Sequence, residues 1–80
     1  MKSIFVFSKI KLIISQIRRN IKKYRKQQKI TAETLSQMVG VSHDFIRQIE
    51  SEKTAYKFSF KTFYKISVAL GVKMDDLIQK

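Results

Sequence analysis

The sequence predicts an all-α domain of five helices, the first of them long and strongly basic. Three observations carry that prediction. Apolar residues recur at three- and four-residue steps along most of the chain. Thr31, Ser42 and Ser59 each stand where a helix needs an N-cap, and the only two glycines, Gly40 and Gly71, fall where helices must stop. Proline is absent and 44% of residues are hydrophobic, which favours compact helices over disorder or a β-sandwich. A chain of 80 residues makes one domain, 1–80, near the size at which a single core is only just sufficient.

The first helix is expected from about Lys9 to Gln28, capped by Ser8 and about 30 Å long at 1.5 Å per residue. Ile10, Ile13, Ile14, Ile17, Ile21 and Tyr24 form its apolar stripe, with Lys9, Lys11, Arg18, Arg19, Lys22, Lys23 and Lys26 mostly off it. Thr31 caps the second helix, and Glu33 suits its first turn. Leu35, Met38 and Val39 give that helix one buried face, and Gly40 ends it in the left-handed conformation. Val41 fills the corner and Ser42 caps the third helix. There Phe45, Ile46 and Ile49 are the apolar positions, leaving His43, Asp44, Arg47 and Gln48 to face outward. Ser59 opens a fourth helix, expected to be largely buried through Phe60, Phe63, Tyr64, Ile66, Val68 and Leu70 and ended by Gly71. Met74 to Gln79 makes a short fifth helix with Asp75 and Asp76 in its favourable first turn.

The charge narrows the function. A formal net charge of +11 and a pI near 10.2 in so small a domain point to a polyanion, most often nucleic acid, with a membrane surface as the other candidate. Ten of the seventeen Lys and Arg residues lie in 1–29, and the first acid is Glu33. There is no cysteine, so disulfides and thiolate metal sites are excluded, and the lone His43 cannot hold a metal by itself. No nucleophile–base pair or cluster of acids is present, so the expectation is a protein that is not an enzyme and needs no cofactor. No window approaches the roughly 20 apolar residues of a membrane span, and the first seven residues are too short and interrupted for a signal peptide.

A helix, a glycine-containing turn and a polar-faced second helix is how proteins present a recognition helix to the DNA major groove. With Ile30 to Glu50 in that pattern, the chain resembles the phage repressor and Cro family of helix-turn-helix regulators. Upstream, Ile17, Ile21, Tyr24 and Arg25 match the family's first helix, and Ile30-Thr31 open its second. Downstream, Ile49-Glu50, then Ile66 to Val72, then Met74, Asp75, Asp76 and Leu77 match its closing landmarks. The resemblance implies a lambda-repressor-like helix-turn-helix domain over 17–77, with a recognition helix at about 43–51 and 1–16 as an added basic and apolar extension.

That resemblance further implies a sequence-specific regulator of transcription, a repressor, that binds a palindromic operator in double-stranded DNA as a homodimer. It would work in the cytoplasm, on the nucleoid. His43, Asp44, Arg47 and Gln48 match the family's base-contacting positions. Arg47 can pair with guanine N7 and O6, Gln48 with adenine N6 and N7, Asp44 can accept from cytosine N4, and His43 can donate to a purine N7. Phe45 is expected to pack inward with Ile49, the alternative being contact with a thymine methyl. Thr31, Ser42, Lys53, Tyr56 and Lys57 are the expected phosphate contacts. Arg25 and Glu50 match a structural ion pair tying the first helix to the end of the third, with a free phosphate contact as the alternative for Arg25. Two departures stand out. Glu52 occupies the position where the family has a helix-closing glycine, and Ala32 stands where it has a phosphate-clamping glutamine.

The apolar run Ile4, Phe5, Val6 and Phe7 has three readings: a dimer contact by pairing of extended strands across a two-fold, packing on the chain's own core, or attachment to an anionic membrane. Two other functions stay open. One is an antitoxin, with the N-terminus as the contact to a partner protein such as a toxin or antirepressor. The other is an architectural DNA-binding protein of low specificity.

Overall fold

The computed structural model describes residues 2–51 and 59–79, and for residues 2–5 and 7 the backbone alone. Its elements are α1 (Lys2–Gln27), α2 (Ala32–Val39), α3 (His43–Glu50), α4 (Phe60–Leu70) and α5 (Met74–Ile78), with no strand among the described residues. The three serine and threonine caps form as the sequence predicts. The hydroxyl oxygens of Thr31, Ser42 and Ser59 accept from the amides of Thr34, Phe45 and Thr62 at 3.0, 3.1 and 3.2 Å. Gly40 (φ 84°) and Gly71 (φ 69°) close α2 and α4 in the left-handed region.

The first helix is longer than expected. It begins at Lys2 and runs through Ser8, so Ser8 is no cap and residues 4–7 are helical rather than an extended strand. With no proline or glycine in that stretch, continuing the hydrogen-bond ladder outweighs the gain of about 1 kcal/mol that a serine cap would bring. At 1.5 Å per residue α1 is about 39 Å long. That is close to the 42 Å longest dimension of the molecule, against 22 and 20 Å across. Its C-terminus turns at Lys29, a non-glycine residue at φ 58°, while the Ile30 amide returns to the Arg25 carbonyl at 3.1 Å.

Ile17, Ile21, Leu35, Val39, Ile46, Ile49, Ile66, Leu70 and Leu77 form the core, with Tyr24, Phe45, Phe63 and Val72 packed against it. The lower half of α1 lies across α3, α4 and α5, and α2 packs on α3 and α4. Three sequence expectations need correction. Met38 is exposed, and Ser36 takes the buried place beside Leu35, its hydroxyl donating to the Glu33 carbonyl. The fourth helix is buried on one side only: Phe60, Tyr64 and Val68 are 73%, 54% and 59% exposed. Arg18, expected on the outer face of α1, is buried. The fifth helix ends one residue early, at Ile78, and the Asp76 carboxylate accepts from the Lys73 amide at its start.

Polar side chains of α1 and of the turn after it reach the carbonyl ends of three other helices. Arg18 Nη1 donates to the Ser51 carbonyl at 2.5 Å, just past α3. Asn20 Nδ2 donates to the carbonyls of Leu77 and Gln79 at 2.6 and 2.5 Å, closing α5. Gln28 Nε2 donates to the Leu70 carbonyl at 2.5 Å, closing α4. These are the carbonyls a helix C-terminus leaves without a partner in its own ladder.

Two outcomes test this account. Lys29→Gly relieves a left-handed backbone and should raise stability by about 0.5–1 kcal/mol in urea denaturation. Asn20→Leu keeps the volume but strips two carbonyls of their donor. It should cost about 2 kcal/mol and speed amide hydrogen exchange first in α5.

Candidate nucleic-acid interface

A helix advances about 100° per residue. From His43 as origin, Asp44, Arg47 and Gln48 fall at about 100°, 40° and 140°, while Phe45, Ile46 and Ile49 fall between about 200° and 300°. The structure divides α3 along that line. Ile46 and Ile49 are fully buried and Phe45 packs on the core, whereas His43, Asp44, Arg47 and Gln48 are all exposed. The four polar side chains share one outward face because the three apolar ones are committed to the interior.

The roll of that face is held by an ion pair. Arg25 Nε and Nη2 donate to the two carboxylate oxygens of Glu50 at 2.7 and 2.9 Å, and its Nη1 donates to the Ile30 carbonyl at 2.8 Å. Both side chains are largely buried, 12% and 8% exposed. The fork thus joins α1, the turn before α2 and the last residue of α3. Hydrogen bonding to Glu50 raises the guanidinium pKa above its usual value, burial opposes this, and the charge of Glu50 adds to the rise. A raised pKa stabilises the fold at every pH below the unfolded value and is lost only as pH climbs through the folded one. Titration of Arg25 therefore leaves stability untouched across the neutral range.

Of the expected phosphate contacts, Thr31 and Ser42 are exposed at the N-termini of α2 and α3, where each oxygen already accepts a capping bond. Thr31 also donates its hydroxyl proton to Thr34 Oγ1 at 2.9 Å. Lys53, Tyr56 and Lys57, like Glu52, lie outside the described residues, as do the side chains of Ile4, Phe5 and Phe7. Val6 is exposed on α1 and helical, which removes the strand-pairing geometry from that segment.

An open cleft of about 760 Å³ separates α1 from α3. His43 and Arg47 form one wall and Arg19 and Lys22 the other, with the Arg25–Glu50 pair between. Sequence reading did not single out Arg19 and Lys22, although they stand three apart on the same row of α1 as Arg25. No group of three or more metal-ligating side chains occurs among the described residues, and none of the helices searched is long and apolar enough to cross a membrane.

A helix-turn-helix family model matches residues 21–77. Among solved structures, the restriction-modification controller protein C.AhdI from Aeromonas hydrophila superposes with a TM-score of 0.72 at 18% identity. The match covers 82% of this chain and 94% of that one. No curated protein matches the chain.

Breaking the ion pair on one side should hurt more than removing it whole. Arg25→Met leaves Glu50 buried and unpaired and should cost about 3 kcal/mol, while Arg25→Met with Glu50→Leu should recover more than half of that in urea denaturation.

Proposed function

Because this chain belongs to the helix-turn-helix family of DNA-binding transcriptional regulators, we propose that it is a repressor that binds a palindromic operator as a homodimer. The observation that carries this reading is the α3 face. Four side chains able to hydrogen-bond base edges stand exposed side by side, on a helix held by two fully buried isoleucines and a bidentate ion pair. A helix presented that way enters the major groove with Arg47 and Gln48 one turn in and His43 and Asp44 at its start. Two copies on a two-fold set their half-sites about 10 bp apart or a multiple of it. Repression follows by occluding polymerase, on the nucleoid inside the cell, and it needs no catalysis and no cofactor.

The homodimer is supported by apolar side chains that the folded chain leaves in water. Val6, Ile10, Leu12 and Ile13 are exposed along the first half of α1, and Tyr64 and Val68 of α4 adjoin exposed Met38 of α2. Exposed apolar side chains grouped in this way suit a contact with protein. The same observation supports the second reading, in which the α1 arm of an antitoxin holds a toxin. Sedimentation of the isolated chain separates the two: a dimer at micromolar concentration favours the regulator, and a monomer favours a different partner.

Selection from a random duplex library at about 150 mM salt, where purely electrostatic binding is suppressed, should return a palindromic consensus. Gln48→Ala and Arg47→Ala should each relax one base pair of every half-site at a cost of about 1–3 kcal/mol. Absence of enrichment would remove the operator-binding reading.

A further inference from the structure

We infer that the upper half of α1 is a docking site for an amphipathic helix of another protein, one whose apolar row is edged by carboxylates. The inference stands apart from the operator-binding reading, and it leaves Met38, Tyr64 and Val68 as the apolar surface for a second copy.

Periodicity defines the surface. With Val6 as origin and 100° per residue, Ile10, Ile13, Ile17 and Ile21 fall at about 40°, −20°, 20° and 60°. One row thus runs along α1. Ile17 and Ile21 carry it into the core, whereas Val6, Ile10 and Ile13 are exposed. The steps from Val6 to Ile17 are four, three and four, the spacing with which one helix seats another. The arm from Lys2 to Gln16 is of a length that is marginal as a helix in water, so a partner along the row also stabilises it.

Shape limits the occupant. Gln28, just past α1, donates to the Leu70 carbonyl at the end of α4, and Asn20 donates to the Leu77 and Gln79 carbonyls at the end of α5. So α5 runs back along α1 toward the arm and stops level with Asn20. Above that point the row overlooks a step, with the arm as its floor and the end of α5 as its wall. The molecule is 22 and 20 Å across, and a helix with its side chains about 10–12 Å. The wall therefore stands about one helix diameter above the floor, and a second helix fits the step. A flat membrane does not. An interfacial helix buries its apolar face only about 5–10 Å deep, and the body of the domain would meet the headgroups before the row did.

Charge selects the partner. No carboxylate precedes Glu33, and the arm carries Lys2, Lys9 and Lys11. Lys9 lies about 60° from Val6, at the edge of the row. Pairing two copies along this row would set like charges beside each other, with no acid in either arm to offset them. Carboxylates on the partner reverse the sign of that interaction.

The test uses the full chain and synthetic helical peptides of about three heptads, with a leucine row edged by glutamate or by lysine. The glutamate peptide should bind in the micromolar range, more weakly as salt rises, and slow amide exchange across residues 6–14. Ile10→Ser with Ile13→Ser should weaken binding about tenfold or more. Leu12→Ser, about 120° from Val6 and off the row, should change it less than about twofold. An unchanged melting temperature certifies that the body of each variant is folded. Absence of binding by the glutamate peptide, or equal binding by the lysine peptide, would overturn the proposal. So would protection of residues 6–14 that grows with protein concentration alone and disappears in the Ile10/Ile13 variant, which assigns the row to a second copy. Binding to phosphatidylglycerol vesicles in preference to the peptide, lost in the same variant, would assign the row to a membrane and overturn it likewise. Failure of the chain to select any duplex removes the operator-binding reading and leaves each of these results intact.

Discussion

Short helices leave a large share of their backbone carbonyls without partners, and in a domain this small there is little loop to cover them. Four of the five helices here have eleven residues or fewer, so their C-terminal carbonyls are a considerable liability. The long first helix meets much of it. Arg18, Asn20 and Gln28 donate to carbonyls at the ends of α3, α5 and α4, and Arg25 donates to the turn that leads into α2. The negative ends of α3, α5 and α4 thus meet donors from α1 and the turn that follows it, one of them the cationic Arg18. Ile17 and Ile21 supply the apolar contact on the same stretch of α1, so packing and polar satisfaction reinforce each other there.

The exposed polar face of α3 inherits its order from that arrangement. The third helix has only two turns and could not hold a defined roll by its own ladder. Its inner residues are pinned in the core, and its last residue is held by a guanidinium that is itself fixed by the Ile30 carbonyl. Three rigid connections therefore bear on eight residues. The definite orientation of the α3 face therefore comes from the core and from α1.

The upper half of α1 obeys different physics. Above Ile14 no side chain of α1 belongs to the core among the described residues, and Val6, Ile10, Leu12 and Ile13 are exposed. Its local stability rests on helix propensity alone, whereas the lower half is supported by the core. Adding a partner surface would bury the apolar row and bring the lysines beside it close to that partner. The same helix is thus a structural spine at one end and an uncommitted surface at the other.

The sequence by itself determined where helices start and stop in the middle of the chain, because caps are local. Thr31, Ser42 and Ser59 need only an amide three residues on, and Gly40 and Gly71 need only their own backbone freedom. Periodicity likewise placed Ile46 and Ile49 inward and the four polar residues of α3 outward, and the resemblance singled out Arg25 and Glu50 as a pair. Asn20 was not singled out by the sequence reading, although it is an uncharged polar residue three from Ile17 and four from Tyr24 of the apolar stripe. What periodicity cannot say is which faces find a neighbour. The exposure of Met38, Phe60, Tyr64 and Val68, the burial of Arg18, and the facing of Arg19 and Lys22 across the cleft were decided by tertiary structure alone. The reason is one of area: so few helices around one core can cover one side of α4 but not both, and the packing of α2, α5 and α1 against it selects which.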